Sequence, residues 1–571
     1  MHVGGVTSGT GEAGRSFGMV TRDRGPKRWA RGLLGKPARG PFVALAFALV
    51  LSGCGVEEGV PKVEEEVERA PARPARVTPS VSDEVPTAAQ RLLVVYRTPT
   101  LPPDAEGGLV RRGARPRHTL AALGVVSVDA DDATRHAIET DPEVLAVGPE
   151  RSWSLPTYVQ TSGARLPASA PSHGFLWGLQ WNVRRVGALS AWQNVPDALQ
   201  SKVTVAVVDT GVMTDHPDLL GNVADAVDTS YARRPSAGCP DPSASPIGYP
   251  AYFTRRNYET DDPCEPVVDA ASVDRHGTHV AGIVAGRSGA GTGTTGVGPG
   301  LKVAVYKVFD RVRLPGKGED SLLAFDGSVF AALVDAVQKR YPVVNLSLGG
   351  TIDRRVPSQE ASYLTWRRVT ELARARGTLI VAAAGNSALR TGTRERTTIP
   401  GDLPAVLSVA ASGSVDMRGP FSLGDASTSE SPIFGPVDSA PGSDVLAAYS
   451  NHGPTVDFLA PGGDCGPRFD PSMPETCEGQ YLVWSSVPSY RPGSPVVAGW
   501  AGFAGTSMAA PHVAAIAALV RAKYPNMGPS ELEARLRQTA ERPGRLLAGE
   551  VGSGMIDAAR ATGTVGPLRL P

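Results

Sequence analysis

Three short stretches of the chain carry side chains able to form one proton-transfer relay. Asp209 lies in Val207-Val208-Asp209-Thr210-Gly211, His276 opens His276-Gly277-Thr278-His279-Val280-Ala281-Gly282, and Ser507 lies in Gly505-Thr506-Ser507-Met508-Ala509-Ala510-Pro511-His512. A serine hydroxyl is a poor nucleophile at neutral pH. It needs an adjacent base, and the base needs an acid to fix its tautomer and stabilise its charge. Singly, each residue has an ordinary explanation: a turn-forming Asp, a helix-capping His, a helix N-cap Ser. Together, in the order Asp, His, Ser and each inside a longer motif, they point to nucleophilic catalysis. Ala382-Ala383-Ala384-Gly385-Asn386 adds a carboxamide that could donate to an oxyanion, with the Ser507 backbone N–H as a second donor at a helix N-terminus.

These groups need a rigid scaffold, and its pattern is visible. Val203–Val208, Lys302–Val308, Val343–Leu348, Thr378–Ala383 and Val406–Ala411 are short continuous apolar runs, as expected of strands buried on both faces. Helical segments are predicted over His276–Gly286, Ser321–Arg340, Ser358–Arg376 and Ser507–Tyr524. Alternation of this kind implies a parallel sheet with right-handed crossovers and active groups at the carboxyl ends of its strands. Segments rich in Pro, Gly and Ser, at about 232–272, 413–446 and 464–497, are expected to be surface loops.

The motifs resemble those of subtilisin-like serine endopeptidases, the subtilases, over roughly residues 90 to 560. The resemblance implies an α/β, three-layer subtilisin-like fold, with a mainly parallel sheet flanked by helices and a small α+β propeptide domain. It implies Asp209, His276 and Ser507 as catalytic residues and Asn386 as the oxyanion donor. His279 and His512 are then packing residues. Ser347-Leu348-Gly349, before Gly350, is similar to the family's edge segment that pairs with substrate backbone, and Ala384 and Gly385 would line the substrate site. The expected reaction is peptide-bond hydrolysis in proteins through an acyl-enzyme. An esterase of another α/β family is disfavoured, because such enzymes place Ser first, in a Gly-x-Ser-x-Gly elbow.

The 571 residues exceed one ordinary domain, and a 41% apolar fraction suffices for a large core. Lys+Arg and Asp+Glu balance at 57 each, so no strong field favours nucleic acid as a partner. Basic residues up to Arg39, the apolar run Phe42–Leu51 and then Leu51-Ser52-Gly53-Cys54 read as an export signal ending in a sequence that resembles the bacterial lipobox, with Cys54 as the lipidated residue. The segmentation that follows is a signal peptide over 1–53, a disordered tether over 54–88, a propeptide domain over 89–150, a connector over 151–175 and a catalytic domain over 176–565. The implied location is the cell envelope, anchored through Cys54 at the outer membrane or cell surface, or the medium. The implied partners are protein or peptide substrates and the chain's own propeptide.

Within the propeptide region, strands are expected at Leu92–Tyr96, Gly124–Val128 and Val144–Val147, with a helix after Asp132 that stops at Asp141-Pro142. The Ser/Pro/Ala-rich stretch Ser154–Ser172 is expected to be an exposed, cleavable connector.

Setting Cys54 aside leaves Cys239, Cys264, Cys465 and Cys477, which allow three pairings. The sequence-local one, Cys239–Cys264 with Cys465–Cys477, is expected. Zinc is the alternative, but no Cys-x-x-Cys spacing is present. The glycine-rich run Gly289–Gly296 lacks the Gly-Lys-Ser/Thr ending of a phosphate loop. It also lacks the Asn with which some subtilases bind calcium after this helix. No cofactor is expected to be required, no metal ligand is assigned, and structural calcium elsewhere is left without a site.

Overall fold

The computed structural model describes residues 90–155, 159–162, 173–230, 274–289, 291–313, 320–393, 396–413, 445–466, 477–489, 496–542 and 549–564. The signal and tether segments, Cys54, Cys239 and Cys264 lie outside them. Among the described residues, no helix is long and apolar enough to cross a membrane.

An N-terminal α+β domain comes first: β1 (Gln90–Tyr96), α1 (Ala105–Arg111), β2 (Arg115–Leu120), β3 (Val125–Ala130), α2 (Asp132–Glu139) and β4 (Val144–Pro149). Its strands form an antiparallel sheet in the order β2-β3-β1-β4. Side chains alternate across a strand, and β1 buries both of its faces. Leu92 and Val94 join Leu109 and Ile138 in the domain's own core. Leu93 and Val95 instead enter a core shared with the neighbouring helices. The second strand and first helix were not legible in the sequence. Strand β2 alternates exposed and half-buried residues in Arg-Pro-Arg-His-Thr-Leu, and α1 carries two glycines, Gly107 and Gly108.

The connector is not wholly exposed, as expected, but contributes two strands, β5 (Ser152–Ser154) and β6 (Val159–Ser162). Trp153 of β5 is 3% exposed. The catalytic-domain helices α3 (Trp181–Arg185), α4 (Ala188–Asn194) and α5 (Asp197–Gln200) follow.

The rest of the large domain runs β7 (Thr204–Asp209), β8 (Val223–Asp228), α6 (His276–Ala285), β9 (Lys302–Lys307), β10 (Phe309–Arg313), β11 (Asp320–Phe325), α7 (Asp326–Gln338), β12 (Val343–Leu346), β13 (Gly350–Asp353) and α8 (Glu360–Ala375). It continues with β14 (Leu379–Ala383), β15 (Arg396–Ile399), β16 (Val406–Gly413), β17 (Val445–Leu446), β18 (Phe458–Pro461), β19 (Val483–Ser489), β20 (Val497–Ala504), α9 (Thr506–Lys523), α10 (Pro529–Thr539) and α11 (Ala558–Thr562). The central sheet has the order β17-β16-β14-β12-β7-β9-β8, with β18 also on β16. Its pairings are parallel except β16 with β17. Helices α6 and α9 pack in one large apolar core with one face of the sheet, and α7 and α8 in another with the opposite face, giving three layers.

Two expectations are corrected. The helix predicted over Ser321–Arg340 begins only at Asp326, because Ser321–Phe325 pairs with β10 on one side and β5 on the other. Within the loop expected over 464–497, Val483–Ser489 is a buried strand antiparallel to β20. Its serines broke the apolar pattern, but Ser485 and Ser486 face α6 and Asp218, where hydrogen bonds take up their hydroxyls.

The N-terminal domain docks on α8. Arg368 of that helix donates to the carbonyls of Tyr96 (2.7 Å) and Leu123 (2.8 Å). Leu93, Val95, Leu123 and Val125 share a core with Phe330 and Trp366.

Candidate active site

Asp209 ends β7, and Ser347 follows β12, the adjacent parallel strand. One residue beyond the registered pair Val208/Leu346, the two strands therefore deliver Asp209 and Ser347 side by side. The Asp209 carboxylate accepts the His276 Nδ1 hydrogen at 2.8 Å, and the pair is buried. That bond leaves Nε2 as the imidazole's basic position. Gly277 makes this approach possible, since a Cβ there would lie 2.2 Å from the Gly211 carbonyl oxygen. Thr210 ties the corner together. Its amide donates to Asp209 (2.8 Å), and its hydroxyl accepts from the Gly277 amide (2.9 Å) and donates to Asp274 (3.0 Å). Burial alone would push His276 down. The charge and hydrogen bond of Asp209, joined by Asp274, outweigh it and hold the imidazole above its ordinary value.

Ser507 is the second residue of α9. Its hydroxyl donates to the Ser347 carbonyl at 3.2 Å. Asn386 follows the end of β14. Its Oδ1 accepts from the amide (2.9 Å) and hydroxyl (2.6 Å) of Thr506, which turns the Nδ2 arm of the carboxamide the other way. The Thr506 hydroxyl in turn accepts from the Gly385 amide at 3.1 Å. Gly385 has φ 103°, in the left-handed region, and a Cβ there would lie 2.5 Å from Asn451 Nδ2. Asn451 clamps this loop by donating to the Ala384 carbonyl (2.7 Å) and accepting from the amides of Ser387 and Leu389.

The expected substrate-edge segment has its side chains in the following surroundings. Leu348 points into the core beneath α7 and α8. Ala384 packs with Ala410, Leu446 and Met555, so its methyl group does not line an open cleft. Gly349 abuts the Ile399 carbonyl. Ser347 braces α9, since its hydroxyl accepts from Asn345 (3.0 Å) and donates to the Ser507 carbonyl (2.8 Å). Sequence reasoning missed Thr210, Asp274, Thr506 and Asn451, whose roles depend on contacts remote in sequence.

His279 and His512 are buried and make their hydrogen bonds outside this relay. His279 Nε2 faces the carbonyls of Val483 and Ala501, and burial pushes it to about 3. His512 lies between the Met508 carbonyl and Asn182, with burial pushing it to about 4.

The glycine-rich run wraps a buried carboxylate. Asp218 accepts from the amides of Gly293 and Thr294, the hydroxyls of Thr294 and Ser486, and the Trp500 indole, at 2.7–3.0 Å. The residues there do not fit a calcium ion, because the nearest carboxylate is already met by protein donors. Among the described residues, no group of three or more His, Cys, Asp or Glu side chains could hold a metal. Cys465 and Cys477 form a disulfide.

Asp209 and His276 form a buried pair and Ser507 lies at a helix N-terminus, on the carboxyl edge of a parallel sheet, where serine-nucleophile sites are built. Residues 200–557 match the model of the subtilase family, so the chain belongs to that family. It is 29% identical over 378 residues to an extracellular protease of Xanthomonas campestris, covering 64% of this chain and 52% of that one. It is 26% identical to thermitase of Thermoactinomyces vulgaris, covering 65% and 92%. Against the Xanthomonas protein, then, the match spans about half the relative's length. In fold, the structure of fervidolysin from Fervidobacterium pennivorans aligns with TM-score 0.57 at 21% identity, over 84% of this chain and 61% of that one. The epidermin leader peptide processing protease of Staphylococcus aureus aligns with TM-score 0.56 at 17% identity, over 83% and 98%.

Proposed function

We propose that the protein is an exported serine endopeptidase made as a zymogen. His276 takes the proton of Ser507 as it attacks a peptide carbonyl, and Asp209 stabilises the resulting imidazolium. Asn386 Nδ2 and the Ser507 amide receive the developing oxyanion, and water then releases the acyl group. Asp209, His276, Ser507 and Asn386 are the working groups. Ser347 and Gly385 position them.

The observation that carries the zymogen reading is the path of the connector. Strand β5 pairs antiparallel with β11, while β6 pairs with β20, placing Val159 opposite Ala504, three residues before Ser507. The chain therefore runs as an extended peptide along one edge before the nucleophile and along another beside it. Extended pairing of this kind is how a substrate backbone is held. Maturation severs the chain after β5 and before β6, within the stretch expected from the sequence to be cleavable. The N-terminal domain, docked on α8, then acts as an inhibitor until it departs.

Export and lipid attachment at Cys54 rest on the Phe42–Leu51 run and the Leu-Ser-Gly-Cys that ends it. Relatives described as extracellular, from Xanthomonas campestris and Dichelobacter nodosus, agree with export.

The test is to express the full chain and its Ser507→Ala variant and to sequence the N-terminus of each product. The wild type is expected to mature between Leu155 and Val159 and to hydrolyse a casein substrate. The variant is expected to stay full length apart from signal removal. Equal maturation and hydrolysis in both would overturn the reading. Labelled palmitate incorporated by the wild type but not by Cys54→Ala tests the anchor.

A further inference from the structure

Trp153 of the connector fills a site built around a buried carboxylate. Its indole Nε1–H donates to Asp326 Oδ1 at 2.8 Å, and the same oxygen accepts from Trp366 at 3.2 Å. The two indoles meet edge-on, with centroids 6.3 Å apart. The opposite wall is Gly350, where a Cβ would lie 2.7 Å from the Trp153 ring, so the slot is as wide as an aromatic ring only because that residue is glycine. Asp326 also reads the backbone. Its Oδ2 accepts the Arg151 amide (3.1 Å), and its own amide donates to the Arg151 carbonyl (3.0 Å). The Arg151 guanidinium covers the Trp153 ring and donates to the Thr351 carbonyl (3.1 Å).

Nothing in the proposed chemistry uses Asp326, and it is fully buried. A carboxylate in such a place costs free energy unless donors meet it. Withdrawal of residues 151–153 removes two of those donors and leaves the longer Trp366 bond and the Ser362 hydroxyl. An incoming chain that carries an extended backbone N–H and, two residues later, an indole N–H restores both. A phenyl or aliphatic side chain restores only the first.

We propose that Asp326 is a specificity-determining residue, and that this slot selects polypeptides with tryptophan on the N-terminal side of the bond to be cut. The proposal rests on the endopeptidase reading and on Trp153 standing where a substrate side chain will stand after maturation. Asp326 recognises the indole N–H, Trp366 and Gly350 recognise its shape, and Thr351 offers its carbonyl to a basic residue two positions earlier.

The test uses mature enzyme and peptides of this chain's own sequence from Gly148 to Ser162. Position 153 is varied among Trp, Phe, Leu and 3-benzothienylalanine, which keeps the indole outline but replaces N–H with sulfur. A hydrogen bond to a charged group predicts kcat/KM about ten- to hundredfold higher for Trp than for the sulfur analogue. That ratio is expected to collapse toward one in Asp326→Ala. Equal rates for Trp and the sulfur analogue, or a ratio that survives in Asp326→Ala, would overturn the proposal. If Asp326→Ala does not fold, the wild-type ratio alone decides. Hydrolysis of all four peptides at one rate, abolished by Ser507→Ala, removes the tryptophan preference and leaves the endopeptidase standing. Failure of mature enzyme to cut any of the peptides, or casein, removes both.

Discussion

Ser347 and Ser507 are joined twice. The Ser347 hydroxyl donates to the Ser507 carbonyl at 2.8 Å, and the Ser507 hydroxyl donates to the Ser347 carbonyl at 3.2 Å. The first bond ties Ser507, at the start of α9, to the segment that follows the strand next to β7. Ser347→Ala removes this tie and takes from Asn345 an acceptor in a buried site. The expected loss of stability is about 1–3 kcal/mol. Urea unfolding in a Ser507→Ala background, where self-digestion is blocked, measures it.

The proposed mechanism requires neutral His276. Burial acts to lower its ionisation, but Asp209 and then Asp274 raise it above the ordinary 6.5. The protonated, inactive form therefore persists to higher pH, and the acidic limb of kcat/KM lies above that of a free imidazole. Asp274→Asn keeps a side-chain oxygen for the His276 and Thr210 donors but removes the charge. The limb is expected to move to lower pH, which a pH–rate profile against wild type reads directly. A limb that stays put or moves up counts against the electrostatic role of Asp274.

Gly277→Ala sets a methyl carbon 2.2 Å from the Gly211 carbonyl oxygen, with backbone on both sides. Either α6 or the turn after β7 must shift, and the 2.8 Å Asp209–His276 bond is broken or stretched. A displacement near 1 Å in such an array can cost about 100-fold in rate. The expected result is a kcat at least that much lower, with a circular dichroism spectrum close to wild type.

Thr506→Val deletes a donor to Asn386 Oδ1 and the acceptor of the Gly385 amide. It leaves the carboxamide in place but less firmly aimed. Asn386→Ala deletes the carboxamide, with an expected loss of about 10²–10³ in kcat, the size seen for the equivalent asparagine in subtilisin. Thr506→Val is expected to lose less, roughly tenfold, with KM little changed, because orientation is degraded while the proposed oxyanion donors themselves remain. Steady-state kinetics on one peptide ranks the pair. A Thr506→Val loss equal to that of Asn386→Ala would mean that Thr506 contributes more than aim.

The central strands could be read in advance because Val203–Val208, Val343–Leu346 and Leu379–Ala383 are buried on both faces and nearly free of polar residues. The candidate relay was legible for a different reason: each member sits in a longer motif of glycines and small residues, and Gly277 and Gly385 show the close approaches that these permit. What was hidden depended on distant partners. Ser321–Phe325 has a composition compatible with a helix and becomes a strand only because β5 and β10 flank it. Asn451 looks like an ordinary loop residue until Ala384, Ser387 and Leu389 are brought around it.

Asp218 has a wider meaning for a protein expected to work outside the cell. The carboxylate gathers Gly293, Thr294, Ser486 and Trp500, which belong to separate stretches of the chain, around a single negative charge. It organises these loops from the inside, as a bound ion would from the outside. This corner therefore draws its shape from donors that the polypeptide itself supplies as it folds.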